Sequence, residues 1–278
     1  PSLGKNSTLQ GTVEFVSKSK PGEGTWPRVW QYFGTPIKDI LLKNAFGTNV
    51  QGSIYGTPNN IIVRKYNEAL NLSYSYQEKW EDLNPDAHLM QPFEGYEITQ
   101  PTENTKHSFA GPLVTTDKTL SLPVSTNTAI YARGSYVLAN PYAAPIFYSN
   151  LSDDDFVNLF KTIYIFNTGS RQQWVDLNGE STLGEQPGTY TSIPLYAGGT
   201  IDKTQIPSMQ GFLVAAYDLN GSTPVFKFRY ATVYRPSGNT TANEPMLVQR
   251  DGGSSSAKGK PVRETKPLIT MDVIGQNS

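Results

Sequence analysis

The residues able to do chemistry are few and scattered. Histidine occurs only at His88 and His107, and cysteine is absent. The lack of cysteine excludes disulfides, thiolate metal sites and a thiol nucleophile. A zinc site needs several ligands within reach. His88 and His107 lie near turn residues with no companions, and both read as exposed loop histidines. Glu94, Glu97 and Glu103 bunch in sequence, and a glycosidase would need two such carboxylates facing each other. Their spacing satisfies no specific requirement, and Glu94 and Glu97 have no equivalents later in the chain. Asp153, Asp154 and Asp155 offer oxygen ligands of the kind calcium takes. Consecutive positions point in different directions and no EF-hand spacing is present, so helix capping explains them better. Asp176-Leu177-Asn178-Gly179 and Asp218-Leu219-Asn220-Gly221 resemble fragments of calcium loops but lack the downstream acid. They read as hairpin turns, where Asn-Gly is favoured. Neither a nucleophile elbow nor a phosphate-cradling glycine loop occurs. The reading is a chain without catalytic residues, cofactor or metal.

Aromatic side chains are the remaining candidates. Trp80 and Trp174 recur in matching surroundings. Exposed tryptophans stack sugars, but a Trp repeated beside an apolar strand is more simply a packing residue. Tyr190 and Tyr196 sit in a stretch rich in Gly, Pro, Thr and Tyr, and contact chemistry is commonly carried on such loops. These two are the ligand-contact candidates.

The elements that must hold these residues are short strands. Thr12-Val13-Glu14-Phe15-Val16 alternates, and so does Val225-Phe226-Lys227-Phe228-Arg229-Tyr230. Alternation of this kind buries one face of a sheet. The strands come in two sets. Trp80-Glu81-Asp82-Leu83-Asn84 returns as Trp174-Val175-Asp176-Leu177-Asn178. Pro36 pairs with Pro141 at an offset of 105, Asn67 with Asn167 at 100, Trp80 with Trp174 at 94, and Gly95 with Gly211 at 116. Ordered anchors of this kind mark an internal repeat. The jump in offset puts about twenty extra residues in the second copy, within 179–206. One short helix is predicted over 153–160, with Ser152 as N-cap and Phe156, Leu159 and Phe160 on one face. A shorter counterpart is predicted at 37–44. The segment 268–274 reads as a last strand, expected to pair at the edge of the second unit or to extend away from it.

These patterns predict an all-β fold of two tandem, related β-sandwich or jelly-roll-like units with one short helix in the second. The first unit spans 1–125 and the second 126–235, with an inserted loop at 179–206. Residues 236–278 form a linker and the start of a further strand or truncated domain. Because the chain opens at Pro1, it reads as a piece of something longer. The net charge of −1 gives no electrostatic reason for a nucleic-acid partner. No apolar run reaches the ~18–20 residues of a spanning helix, so no membrane insertion is expected.

Three stretches carry a family resemblance: Trp30-Gln31-Tyr32-Phe33-Gly34-Thr35-Pro36, Leu138-Ala139-Asn140-Pro141-Tyr142, and Ile206-Pro207-Ser208-Met209-Gln210-Gly211-Phe212-Leu213-Val214. In order and spacing, from about Val29 to Tyr230, they resemble the repeated β-rich region of large secreted, adhesin-like surface proteins of the Bacteroidetes. That resemblance implies a secreted or cell-surface location and a structural or adhesive, non-enzymatic role. The implied partners are neighbouring domains of a longer chain and a protein or glycan surface. A carbohydrate-binding module and a glycan hydrolase with a site between the units are the alternatives.

Overall fold

The alternating apolar residues become the inner faces of paired sheets. The computed structural model describes residues 9–17, 19, 29–53, 60–70, 79–102, 104–128, 132–166, 168, 188, 190–195, 205–233 and 272–273. The first half holds β1 (Gln10–Ser17), β2 (Gln31–Phe33), β3 (Ile40–Leu41), α1 (Leu42–Phe46), β4 (Val50–Gln51), β5 (Ile61–Tyr66), β6 (Trp80–Glu81), β7 (Leu89–Met90), β8 (Tyr96–Thr99) and β9 (Thr105–Pro112). The second half holds β10 (Lys118–Ser121), β11 (Ser135–Ala139), β12 (Ile146–Phe147), β13 (Phe156–Val157), β14 (Thr162–Phe166), β15 (Tyr190–Pro194), β16 (Gln205–Ile206), β17 (Gly211–Ala215) and β18 (Val225–Phe228). A last short strand, β19 (Asp272–Val273), comes after them.

In each half a short sheet covers a longer one. β1 and β9 lie over the sheet ordered β2-β8-β5-β4. Val13, Phe15 and Phe109 from the cover meet Phe33, Val63, Tyr96 and Ile98 from the sheet in one core. In the second half β10-β18-β13 covers β11-β17-β14-β15. There Phe226 and Phe228 meet Tyr136, Leu138, Ile163, Ile165, Phe212 and Val214. Each such large side chain contributes about 1.5–3 kcal/mol when fully buried. The fold is all-β.

Three strands of each larger sheet, β2-β8-β5 and β11-β17-β14, match in order and in register, while the fourth strands differ, β4 running parallel to β5 and β15 antiparallel to β14. Moving β2 by 105 positions and β8 by 116 turns Tyr32↔Glu97 and Phe33↔Tyr96 into Val137↔Leu213 and Leu138↔Phe212, the pairs formed by β11 and β17. Moving β5 by 100 turns Arg64↔Glu97 into Tyr164↔Leu213, the pair formed by β14 and β17. The small ladders correspond too, with Ile40↔Met90 in one half and Ile146↔Ile206 in the other. The prolines sit in equal turns. Thr35 Oγ1 accepts the N–H of Ile37 at 3.1 Å, and Asn140 Oδ1 accepts the N–H of Tyr142 at 2.9 Å. Side-chain acceptors of this kind stand in for a backbone turn, and Pro36 and Pro141 occupy the residue between.

Several expectations need correction. The helix predicted over 153–160 is one 3-10 turn at Asp153–Asp155, followed by β13. Phe156 pairs with Phe226 in a ladder, and Asn158 takes a left-handed φ of 50°, which ends helical propagation. Among the described residues the α-helix is α1, in the first half, where Leu42, Ala45 and Phe46 are buried. Asn220-Gly221 is not a two-residue hairpin turn, because the strands on either side of it, β17 and β18, belong to different sheets. Asp218 Oδ1 accepts the Asn220 N–H at 2.8 Å and shapes the connection. The stretch read as an inserted loop contains β15, which pairs with β14 along its length. The terminal strand pairs with neither edge of the second half. Gly11↔Val273 and Thr12↔Asp272 join it antiparallel to β1 in the first.

Candidate functional site

Where the halves meet, each gives the other the same contacts. Gly34 N–H donates to the Met209 carbonyl at 3.0 Å, and Ala139 N–H donates to the Phe93 carbonyl at 3.2 Å. The bridge Phe33↔Gln210 answers the bridge Glu94↔Leu138. In both comparisons the partners differ by 105 on one side and 116 on the other. Phe93 and Met209, whose carbonyls accept at this joint, share positive φ values of 74° and 64°. The two anchor glycines stand at the closest approaches. A side-chain carbon on Gly95 would collide with Val137, and one on Gly211 with the backbone of Tyr32 and Phe33. Reciprocal contacts of this kind are the signature of an isologous interface. Here it lies within one chain.

An aromatic seam covers one side of this joint. Tyr32 lies 4.6 Å from Phe166 and 5.0 Å from Trp80 between ring centroids. Trp80 is buried and also meets Tyr66 at 5.2 Å. Tyr190, half exposed, reaches in from β15 and shares a 2.8 Å hydroxyl hydrogen bond with Tyr32. Burial and the nearby Tyr190 raise the Tyr32 phenol well above its ordinary value. Two side chains picked out by sequence, Trp80 and Tyr190, thus come together on Tyr32. Tyr196 and Trp174 lie outside the described residues.

Beside the seam is a buried ion pair that sequence reading missed as a pair. Arg64 on β5 and Glu97 on β8 face each other, with Arg64 Nε 2.7 Å from Glu97 Oε1. Both side chains are almost wholly enclosed, and the guanidinium lies 5.0 Å from the Trp30 ring centroid. Burial pushes the Glu97 carboxyl up to about 7 against the pull of Arg64. The equivalent second-half pair is Tyr164 and Leu213. Setting the two halves in alignment exposes this replacement of an apolar pair by charges, and that was the available signal.

The other candidates are used structurally. Glu94 binds Lys65 at 2.8 Å and accepts the Tyr96 hydroxyl at 2.8 Å, so Glu94 and Glu97 hold separate cations and do not form a facing pair. Glu103 lies outside the described residues. Asp155 is fully buried, accepts the Ser152 N–H at 2.8 Å and holds Arg229 at 2.6 Å. Asp153 pairs with Lys161. The two histidines are not exposed loop residues. His107 is buried in β9, 2.9 Å from Gln100, and burial pushes its pKa down to about 4. His88 is partly buried against Tyr96, and burial lowers its pKa. Among the described residues no group of three or more acidic or histidine side chains could hold a metal ion. No described helix is long and apolar enough to cross a membrane.

On the side of the joint where β10 runs, a groove of about 630 Å³ opens between the halves. Phe93, Leu120, Leu122 and Tyr136 are among its apolar lining, and both Lys38, Lys65 and Lys118 and Asp39, Glu68, Glu94 and Asp117 stand at its walls. Glu97, whose carboxyl pKa lies near neutrality, does not line it.

No family model matches the chain, and no solved structure matches it significantly. The chain is similar to a curated protein, the minor fimbrium subunit Mfa5 of Porphyromonas gingivalis, with 31% identity over 287 residues. The alignment covers 99% of this chain and 21% of that protein, so the chain spans about a fifth of its relative's length.

Proposed function

We propose that this chain is a non-catalytic structural module of a cell-surface protein, one part of a longer polypeptide akin to a fimbrium subunit. The observation that carries this reading is the similarity, along nearly the whole chain, to a part of a minor fimbrium subunit. In this reading the chain through β9 and the chain from β10 to residue 235 are two related units, β10 lying with the second because it pairs with β18, so the division falls before residue 118 and not at 125, and 236–278 links onward. The joint through Gly34, Phe93, Ala139 and Met209 holds the units as one frame. Pro36, Pro141, Gly95, Gly211, Trp80 and Trp174 serve as the anchors of that frame. Neighbouring domains and protein subunits are the partners, and Tyr190 and Tyr196 on 179–206 are the contact residues. Support comes from what the halves have in common, which is turn, packing and joint positions, while Glu94 and Glu97 have no acidic equivalents in the second half.

The test is an in-frame deletion of this segment from the parent gene in the source organism. Surface structures are then counted by electron microscopy, and attachment to coated surfaces is measured. The expected result is that the truncated protein is exported while surface structures or attachment fall. Unchanged structures and attachment, together with polysaccharide turnover by the isolated chain, would overturn the proposal.

A further inference from the structure

Exposed apolar side chains scattered singly are ordinary on a protein surface, but here most of them gather. Six large hydrophobic residues are exposed among the described residues, and four of them, Val157, Phe160, Tyr217 and Leu219, lie on two segments bonded to each other. These segments leave β13 and β17 and run antiparallel through the bridge Leu159↔Ala216. Phe160 and Tyr217 are 45% and 71% exposed, with ring centroids 5.5 Å apart and planes at 74°. Asn158 braces this corner. Its carbonyl accepts the Tyr217 N–H at 2.9 Å, and its Oδ1 accepts the Asp218 N–H at 3.0 Å. Its Nδ2 donates to the Asp218 carbonyl at 2.9 Å and to that of Ser222. A braced turn cuts the ordering cost of binding. The frame does not require these aromatic rings. Offsets of 100 and 116 place Asn60 opposite Phe160, and Pro101 and Glu103 opposite Tyr217 and Leu219.

The chemistry around the rings selects the occupant. Asp218 and Asn220 are exposed in the same turn, so polar groups interrupt the apolar ones. A stable protein partner covers about 800 Å² per side around a continuous apolar core, and four interrupted side chains fall well short of that. A hexopyranose has matching parts on a smaller scale. One face of its ring is a patch of C–H groups, which carry slight positive charge and meet the negative face of an aromatic ring. Its rim is hydroxyls, which need acceptors and donors, and a carboxylate with a carboxamide supplies both. We propose that this corner binds a hexopyranose unit of a glycan, with the sugar ring against Tyr217 and Phe160 and its hydroxyls on Asp218 and Asn220. The site uses neither Tyr190 nor Tyr196. It goes beyond the surface-module reading and rests on it only for access to glycans outside the cell.

The test is an NMR titration of the full chain with lactose and cellobiose, whose β-linked pyranose rings present C–H faces. Saturable shifts are expected at the amides of Phe160, Tyr217 and Asp218, with saturation transfer from the protein to the C–H protons of the sugar ring. Tyr217→Ala should weaken binding at least tenfold with an unchanged circular dichroism spectrum. Tyr217→Phe keeps the ring and should bind within twofold of the unmodified chain. Asn220→Ala should weaken binding by a smaller factor than Tyr217→Ala. Leu89→Ala, at an exposed apolar residue of the first half, should have no effect. No saturable shift with either disaccharide, or equal binding by Tyr217→Ala, would overturn the proposal. If Tyr217→Ala fails to fold, the unmodified chain decides, and shifts that miss Phe160 and Tyr217 would overturn it. Broadening of the same amides as the chain is concentrated, with no response to sugar, would assign the corner to a second copy and overturn it too. Surface structures lost on deletion of the segment, with no sugar response, would sink the glycan site and leave the surface-module reading standing. A sugar response with unchanged surface structures and attachment would do the reverse.

Discussion

The backbone N–H of Gly34 donates to the carbonyl of Met209, and the equivalent residues Ala139 and Phe93 make the same bond in the opposite sense. Strand order and register agree between β2-β8-β5 and β11-β17-β14, so the exchange joins like to like. A joint built from backbone hydrogen bonds and close glycine approaches tolerates little change in volume.

Gly211→Ala tests that intolerance. The added carbon would meet the backbone at Tyr32 and Phe33, which cannot swing aside as a flexible side chain can. The expected loss is about 1–3 kcal/mol, the usual cost of overpacking a close contact. Urea unfolding of the purified chain measures it. A midpoint equal to that of the unmodified chain would show that the halves do not meet there.

The buried tryptophan gives a larger effect. Trp80→Ala removes a side chain packed against Tyr32 and Tyr66. The loss should be about 3–5 kcal/mol. Tyr190→Phe, which removes the hydroxyl contact to Tyr32 and keeps the ring, should cost about 1 kcal/mol. Equal losses from both changes would contradict the seam described above.

The Arg64–Glu97 pair allows a test by exchange between the halves. Arg64→Ala or Glu97→Ala alone leaves an enclosed charge without its partner and should cost about 3–5 kcal/mol. The double change Arg64→Tyr with Glu97→Leu installs the second half's own pair, Tyr164 and Leu213, in the same register. It should cost less than either Arg64→Tyr or Glu97→Leu alone, and those two singles with the double close a double-mutant cycle. A double variant as unstable as the sum of the singles would show that the two sites are not equivalent.

The pH dependence comes from two buried groups of opposite sign. The folded chain holds the Glu97 proton up to about 7, above the ordinary carboxyl value of 4.5, so this group makes stability fall as pH rises between those values. The folded chain refuses a proton on His107 until about 4, below the ordinary 6.5, so this group makes stability rise with pH over that window. The contributions oppose each other between about 4.5 and 6.5. Glu97→Gln removes the first and leaves the second. Its urea midpoint should climb more steeply with pH in that window than that of the unmodified chain. Parallel profiles would contradict the assignment.

Much of the frame was legible in the sequence, because the strands alternate and the turns are chemically marked. Val13 and Phe15, and Phe226 and Phe228, lie inward as their spacing requires, and the fold is all-β. The offsets between Pro36 and Pro141 and between Gly95 and Gly211 carry the register of the larger sheets. The joint itself was not legible, since backbone hydrogen bonds from Gly34 and Ala139 leave no pattern in side-chain types. Local reasoning failed at 153–160. Ser152 and Asp155 do cap a turn, but Arg229, 74 residues away, and the ladder partner Phe226 turn the next residues into a strand. His107 misled for the same reason, because its burial depends on Gln100 and Phe46 across the core.

The surface assignment is tested most directly by immunogold electron microscopy of intact, unpermeabilised cells of the source organism, using antibodies raised against this chain. The predicted result is gold on surface structures extending from the cell, lost when the segment is deleted. Gold that appears only after the cells are opened would contradict the assignment.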